Sequence, residues 1–66
     1  MVLTINGDAR SIEPAETVAQ LLQILSLDPG QVVVELNRQI VRRPALATTR
    51  VANGDQVEIV HFVGGG

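Results

Sequence analysis

Only one stretch of this 66-residue chain repeats its apolar residues with the period of a helix, and that scarcity limits the folds open to it. Val18, Leu21, Leu22 and Leu25 fall at i, i+3, i+4 and i+7 as a single stripe, with Gln20 and Gln23 away from it. Thr17-Val18-Ala19-Gln20 reads as a capping box, the Thr17 hydroxyl and the Gln20 amide being placed to satisfy orphan backbone N–H groups. A helix of roughly ten residues is predicted from here, stopped by Asp28-Pro29-Gly30.

The rest of the chain reads as short strands and turns. Met1 to Asn6 is rich in Val, Leu and Ile and ends at Asn6-Gly7-Asp8, a strong hairpin signal, so a second strand is expected through Arg10 to Glu13. Leu3, Ile5 and Ile12 are its inward residues, with Thr4 and Ser11 on the other side, and Pro14 ends it. Val32 to Leu36 is a third strand with Val32, Val34 and Leu36 on one face, and Asn37-Arg38-Gln39 turns it into a short Ile40-Val41 segment. Pro44 and the unpatterned run Ala45 to Thr49 make the stretch from Arg42 to Val51 a crossing loop with about one helical turn. Asn53-Gly54-Asp55 is another turn before a last strand, Gln56 to Phe62. Alternation assigns Val57 and Ile59 to one face, Val60 and Phe62 to the other. One helix can cover one face of a small mixed sheet, so an α+β layer is the simplest architecture.

At this length a single domain is expected, near the lower limit for a core without disulfides or metal. The chain has no cysteine, which removes disulfide frameworks, zinc ribbons, iron–sulfur ligation and thiol catalysis together. A net charge of −2, with every basic residue an Arg and no aromatic-interleaved basic patch, disfavours nucleic acid as a partner. The apolar runs are far shorter than a membrane span and the N-terminus lacks the pattern of a signal peptide, so a cytoplasmic protein is expected. His61, the sole histidine, has no nucleophile or second ligand beside it in any motif; a surface histidine is the simpler reading. Asp8 and Asp55 follow Asn-Gly pairs as turn residues, and Arg38, Arg42, Arg43 and Arg50 read as a solvated face. No metal constellation or phosphate-cradling loop is found.

The ending is the part that folding does not explain. Val63-Gly64-Gly65-Gly66 follows directly on the last strand, and three glycines supply neither element nor core. A domain over residues 1–63 with a flexible glycine tail at 64–66 is the expected organisation. Such a tail offers reach and a bare carboxylate; a frayed terminus is the plain alternative.

The residues resemble the small, ubiquitin-like β-grasp sulfur carriers, most closely those of thiamin thiazole biosynthesis, over essentially the whole chain. The strongest portion runs from Asn53-Gly54-Asp55-Gln56-Val57-Glu58-Ile59 through Val60-His61-Phe62-Val63 to the three glycines. It resembles the family's Gly-Asp-x-Val-Glu-Ile-Val-x-x-Val-Gly-Gly-Gly ending. Glu35 to Arg43 matches the central strand–turn–strand more weakly, and Arg42-Arg43-Pro44 departs from the order in many members, which place Pro before Arg. The resemblance implies a β-grasp fold and a protein co-substrate, not an enzyme. A ubiquitin-activating-type adenylyltransferase would use ATP to adenylate the Gly66 carboxylate, and sulfur from a cysteine desulfurase would displace AMP. The resulting thiocarboxylate would then supply thiazole synthase. Gly64 and Gly65 would thread the end into the partner's active site, and no cofactor would be bound by the chain itself.

Val60 and Phe62 are the expected docking surface for these partners if the helix covers the face of Val57 and Ile59. They could equally pack beneath the loop from Arg42 to Thr49. Carriers for molybdopterin, cysteine or tRNA thiolation share the same chemistry, and a ubiquitin-like modifier or interaction domain is the alternative from another class.

Overall fold

The computed structural model describes residues 1–62, so the expectations placed on Val63, Gly64, Gly65 and Gly66 lie outside the described residues. The elements follow in the order β1 (Val2–Ile5), β2 (Asp8–Ser11), α1 (Val18–Ile24), β3 (Val32–Leu36), β4 (Gln39–Val41) and β5 (Gln56–His61), with single 3₁₀ turns at Pro29–Gln31 and Arg43–Ala45. The strands form one mixed sheet in the order β2-β1-β5-β3-β4. The last strand in the chain is thus the central one, parallel to β1 and antiparallel to β3.

Turn chemistry sets the two hairpins. Asn6 (φ 50°) and Gly7 (φ 87°) both lie in the left-handed region, the signature of a two-residue type I′ turn, and Ile5 pairs with Asp8 across it. Asn37 (φ 50°) and Arg38 (φ 71°) repeat that geometry between Leu36 and Gln39, although Arg38 is a residue type that adopts it at a cost. The first hairpin is tighter than its sequence pattern predicts: β2 starts at Asp8, directly after the turn, and ends at Ser11. Ile12 therefore lies outside the strand, where its N–H donates to the Met1 carbonyl and its own carbonyl accepts from the Met1 ammonium.

The helix begins where its cap predicts. The Gln20 N–H donates to Thr17 Oγ1 at 3.2 Å, and Gln20 Oε1 accepts from the Glu16 N–H at 2.7 Å, one residue before the N-cap. It is shorter than expected, spanning 7 residues. Ser26 turns left-handed (φ 59°), its N–H bonding Gln23 O and that of Leu27 bonding Leu22 O; this is a Schellman ending with serine where glycine is usual. Leu25 becomes the C-cap and is half-buried, not fully packed like Val18, Leu21 and Leu22.

One face of the sheet meets α1, and among the described residues no layer covers the other. Leu3, Ile5, Val32, Val34, Val57 and Ile59 join Val18, Leu21 and Leu22 in a single core, completed by Ala15, Leu46 and Val51. Leu46 and Val51 come from the segment in which no pattern was legible. That segment holds the start of the helix: Val18 N–H donates to Thr49 O, Ala19 N–H to Leu46 O and Val51 N–H to Glu16 O. Helix N-termini carry N–H groups without internal partners, and here a distant loop supplies the acceptors.

Candidate functional site

The candidate site lies where β5 leaves the sheet toward the glycine ending. β5 has a rigid base because its neighbours hold it on both sides. On the β3 side the ladder runs from Leu36–Val57 to Val32–His61, and it continues one step further as the Phe62 N–H donates to Gln31 O at 3.2 Å. On the other side β1 pairs only with Gln56 and Val57.

Beyond that point an asparagine side chain replaces the strand. Asn6 Oδ1 accepts from the Ile59 N–H at 2.7 Å and Asn6 Nδ2 donates to the Ile59 carbonyl at 3.0 Å. The left-handed turn aims the amide along the missing strand, so Ile59 keeps both backbone bonds. Asn37 closes the opposite end of β5. Its N–H donates to Gln56 O, its Oδ1 accepts from the Gln56 N–H at 3.0 Å, and its Nδ2 donates to Asp55 Oδ1 at 3.2 Å. Asp55 also accepts from the Ala52 N–H at 2.8 Å, which fits its expected role as a turn residue. Neither asparagine was singled out for these contacts from the sequence. Their local signal marks a turn, and their partners lie 53 and 19 residues away.

The β5 side chains divide between the two faces as alternation predicts. Val57 and Ile59 are buried toward α1, whereas Val60 is 60% exposed on the open face and Phe62, just past the strand, is 40% exposed. Val33, directly opposite Val60, and Ile40 add exposed apolar surface. Phe62 has a foot in each expected location. It lines a depression of about 350 Å³ that takes in Val33 and Ile40 as well as Arg42, Arg43 and Leu46 of the following segment. It stands beside that segment without being covered by it.

His61 is exposed and lines a separate depression with Ile5, Asn6, Arg10, Ile24 and Leu27. No nucleophile accompanies it there. Arg38, Arg42, Arg43 and Arg50 are all exposed; Arg43 Nη2 makes a long 3.4 Å hydrogen bond to Gly30 O. Among the described residues no group of acidic or histidine side chains could hold a metal ion, and no helix is long and apolar enough to cross a membrane. The geometry therefore presents a surface and an exit for the chain.

Known proteins share this arrangement. The ThiS family model matches residues 3–66, a span that takes in the glycine ending. A sulfur carrier protein ThiS from Bacillus subtilis is 35% identical over 98% of this chain and 100% of its own length. A thiazole synthase from Paramagnetospirillum magneticum is 44% identical over the full chain, and one from Magnetococcus marinus 36%. This chain spans only 20% of the length of each of those two. The crystal structure of a thiamine biosynthesis protein (ThiS) from Geobacter metallireducens superposes with a TM-score of 0.84 at 40% identity, covering 100% of both chains. Its solution structure superposes with a TM-score of 0.82. The five-stranded mixed sheet with one helix is thus the β-grasp architecture of these ubiquitin-like proteins. With the family model reaching from Leu3 to the last glycine and the fold matched along its whole length, the chain belongs to the ThiS family.

Proposed function

We propose that this chain is the sulfur carrier of thiamin thiazole formation, a protein co-substrate whose reacting group is the carboxylate of Gly66. The observation that carries this reading is the family match running through Gly66, joined to a strand that is hydrogen-bonded to its neighbours up to Phe62, two residues before Gly64 in the sequence. An α-carboxyl group with an ordinary pKa of ~3.3–3.7 is ionised at neutral pH and delocalised, so it repels sulfur nucleophiles until it is activated. An adenylyltransferase would let a carboxylate oxygen attack the α-phosphate of ATP, releasing pyrophosphate and leaving an acyl-adenylate. A persulfide sulfur, originating from cysteine through a desulfurase, would then displace AMP to leave an acyl disulfide, and a thiol, such as that of free cysteine, would attack its other sulfur, breaking the S–S bond to release the thiocarboxylate while the thiol is oxidised to a disulfide.

Gly64 and Gly65 serve as the thread. Together with Gly66 they span about 10 Å when extended, and the absence of Cβ atoms suits a narrow active-site entrance. The chain has no cysteine that could divert the sulfur into a persulfide of its own. Thiazole synthase is the proposed acceptor; a similar segment within two proteins of that name supports carrier and synthase acting together.

Val60 and Phe62, next to the exit, dock the partners on the open face. Burying either side chain would contribute ~1.5–3 kcal/mol if complete. Val60→Asp, a change at a side chain 60% exposed, is expected to raise the activating enzyme's KM at least tenfold with the unfolding midpoint nearly unchanged. Equal KM values would remove Val60 from the docking surface. The carrier reading itself is tested by reconstituting thiazole formation from desulfurase, activating enzyme, synthase and carrier. Removal of Gly66 should abolish product, and undiminished product from the shortened chain would refute the reading.

A further inference from the structure

β4 and β5 flank β3 and run in the same direction, so both end at the side of the sheet where β3 begins. Two arginines follow β4 there, and four residues, Val63 to Gly66, follow Phe62. Arg42 is extended (φ −73°, ψ 156°) and lies one step past the Val34–Val41 pair, so by alternation it shares the open face with Val33 and Val60. Arg43 reaches the same backbone that holds Phe62. Its Nη2 donates to Gly30 O at 3.4 Å, and the next carbonyl, Gln31 O, accepts from the Phe62 N–H at 3.2 Å. That long bond occupies one of the five N–H donors of the guanidinium. Two acidic side chains stand near the arginines. A Cβ at Gly30 would lie 3.9 Å from Arg43 Nη2 and 3.3 Å from Asp28 Oδ1, which already accepts from the Gly30 N–H at 2.8 Å. Glu35, paired across the sheet with Glu58, is diagonal to Arg42. Between the arginines and Phe62 runs the depression of about 350 Å³, lined by Val33, Ile40 and Leu46.

We infer that Arg43, with Arg42 beside it, binds the α-carboxylate of the chain's own end, laying Gly64 to Gly66 along this depression in the free carrier. The inference rests on the carrier reading for one point, the free carboxylate at Gly66. Reach selects this occupant first. β5 and β4 lie two strand spacings apart, about 9.6 Å, and four extended residues span about 13–14 Å, so the end arrives at the arginines with little chain to spare. Charge selects it next. The planar fork of a guanidinium takes both oxygens of a carboxylate, and a tether this short presents that carboxylate at a high effective concentration. Shape agrees with both, because the depression begins at Phe62 itself and residues without Cβ atoms can lie in a shallow channel. An end held in this way is out of reach of another active site, so only the released fraction of carriers is competent for activation. A partner that takes the carboxylate must compete with Arg43 for it.

The test is NMR of the free chain ending at Gly66, compared with the chain shortened by Gly64 to Gly66, each as wild type and as the double variant Arg42→Gln, Arg43→Gln. In the wild-type background, removing the glycines should shift the amide signals of Val33 and Ile40 and the side-chain N–H signal of Arg43. The Val33 and Ile40 shifts should be largely lost in the double variant, and equally in the wild-type chain at about 1 M salt, an arm that needs no substitution. Arg38→Gln, in the turn at the other end of β4, should leave them intact. Shifts confined to Phe62 and Gln31 overturn the proposal, and so do shifts at Val33 and Ile40 that persist in the double variant or in salt. Releasing the end should also lower the activating enzyme's KM for the double variant by about two- to threefold with kcat unchanged. An unchanged or raised KM overturns the holding role. Glycines that dock as described on a chain that never accepts sulfur overturn the carrier reading alone. Normal sulfur transfer with shifts confined to Phe62 and Gln31 overturns this inference alone.

Discussion

Two asparagine side chains stand in for strand residues that the sheet lacks, and both act on β5. Asn6 satisfies the N–H and the carbonyl of Ile59, and Asn37 performs part of the same service for Gln56. Replacing Asn6 by Ala should therefore destabilise the domain by about 1–3 kcal/mol, because it leaves partly buried backbone groups unpaired. Asn6→Gly separates the two roles of this residue, since glycine accepts a φ of 50° but carries no amide. It should keep most of the loss, as read from the urea midpoint; a neutral Asn6→Gly would mean that the turn alone selects asparagine. At this scale the sequence was legible as far as backbone conformation reaches. Asn-Gly announces a tight turn from local sterics, whereas nothing local can announce an amide aimed at a strand 53 residues away. The exposure of Val60 and of Phe62 was legible from alternation, whereas the depression that Phe62 shares with Arg42, Arg43 and Leu46 was not, because it depends on a segment without a pattern.

At the scale of elements, α1 is set at its two ends by different means. Its apolar stripe and its Thr17 cap are readable because they depend on residues within one turn. The stop came earlier than the Asp28-Pro29-Gly30 signal because Ser26 takes the left-handed position usually given to glycine. Ser26→Gly should stabilise the domain by up to about 1 kcal/mol, seen as a higher urea midpoint with unchanged slope. A loss of stability would show that the Ser26 side chain has a favourable role beyond the backbone. The start of the helix depends on the segment from Leu46 to Val51, whose two buried residues are spaced without helical or strand period. Its contribution was illegible because carbonyl acceptors carry no side-chain signature. Leu46, buried in the core, links that segment to the sheet, and Leu46→Ala should cost about 2–5 kcal/mol. That is a large share of the roughly 3–10 kcal/mol total expected at this chain length. A change below about 0.5 kcal/mol would make the segment a surface strap with no part in the core.

For the molecule as a whole, the important asymmetry is that one sheet face is closed by α1 and the other is open. The closed face concentrates the core residues, among them Leu3, Leu21, Leu22, Val34 and Val57, into one layer. The open face, bearing Val33, Val60 and the Glu35–Glu58 pair, runs to the point where β5 gives way to the glycines. A small domain can thus offer a broad recognition surface beside the strand that precedes the glycines in the sequence. On this account the fold supplies the handle, and the chemistry belongs to the terminal carboxylate. The most direct test of that claim is the intact mass of the chain ending at Gly66 after incubation with ATP, the activating enzyme, desulfurase and cysteine. Replacement of one oxygen by sulfur, absent without ATP and absent from a chain lacking Gly66, is the expected result; an unchanged mass with fully active partner enzymes would contradict the account.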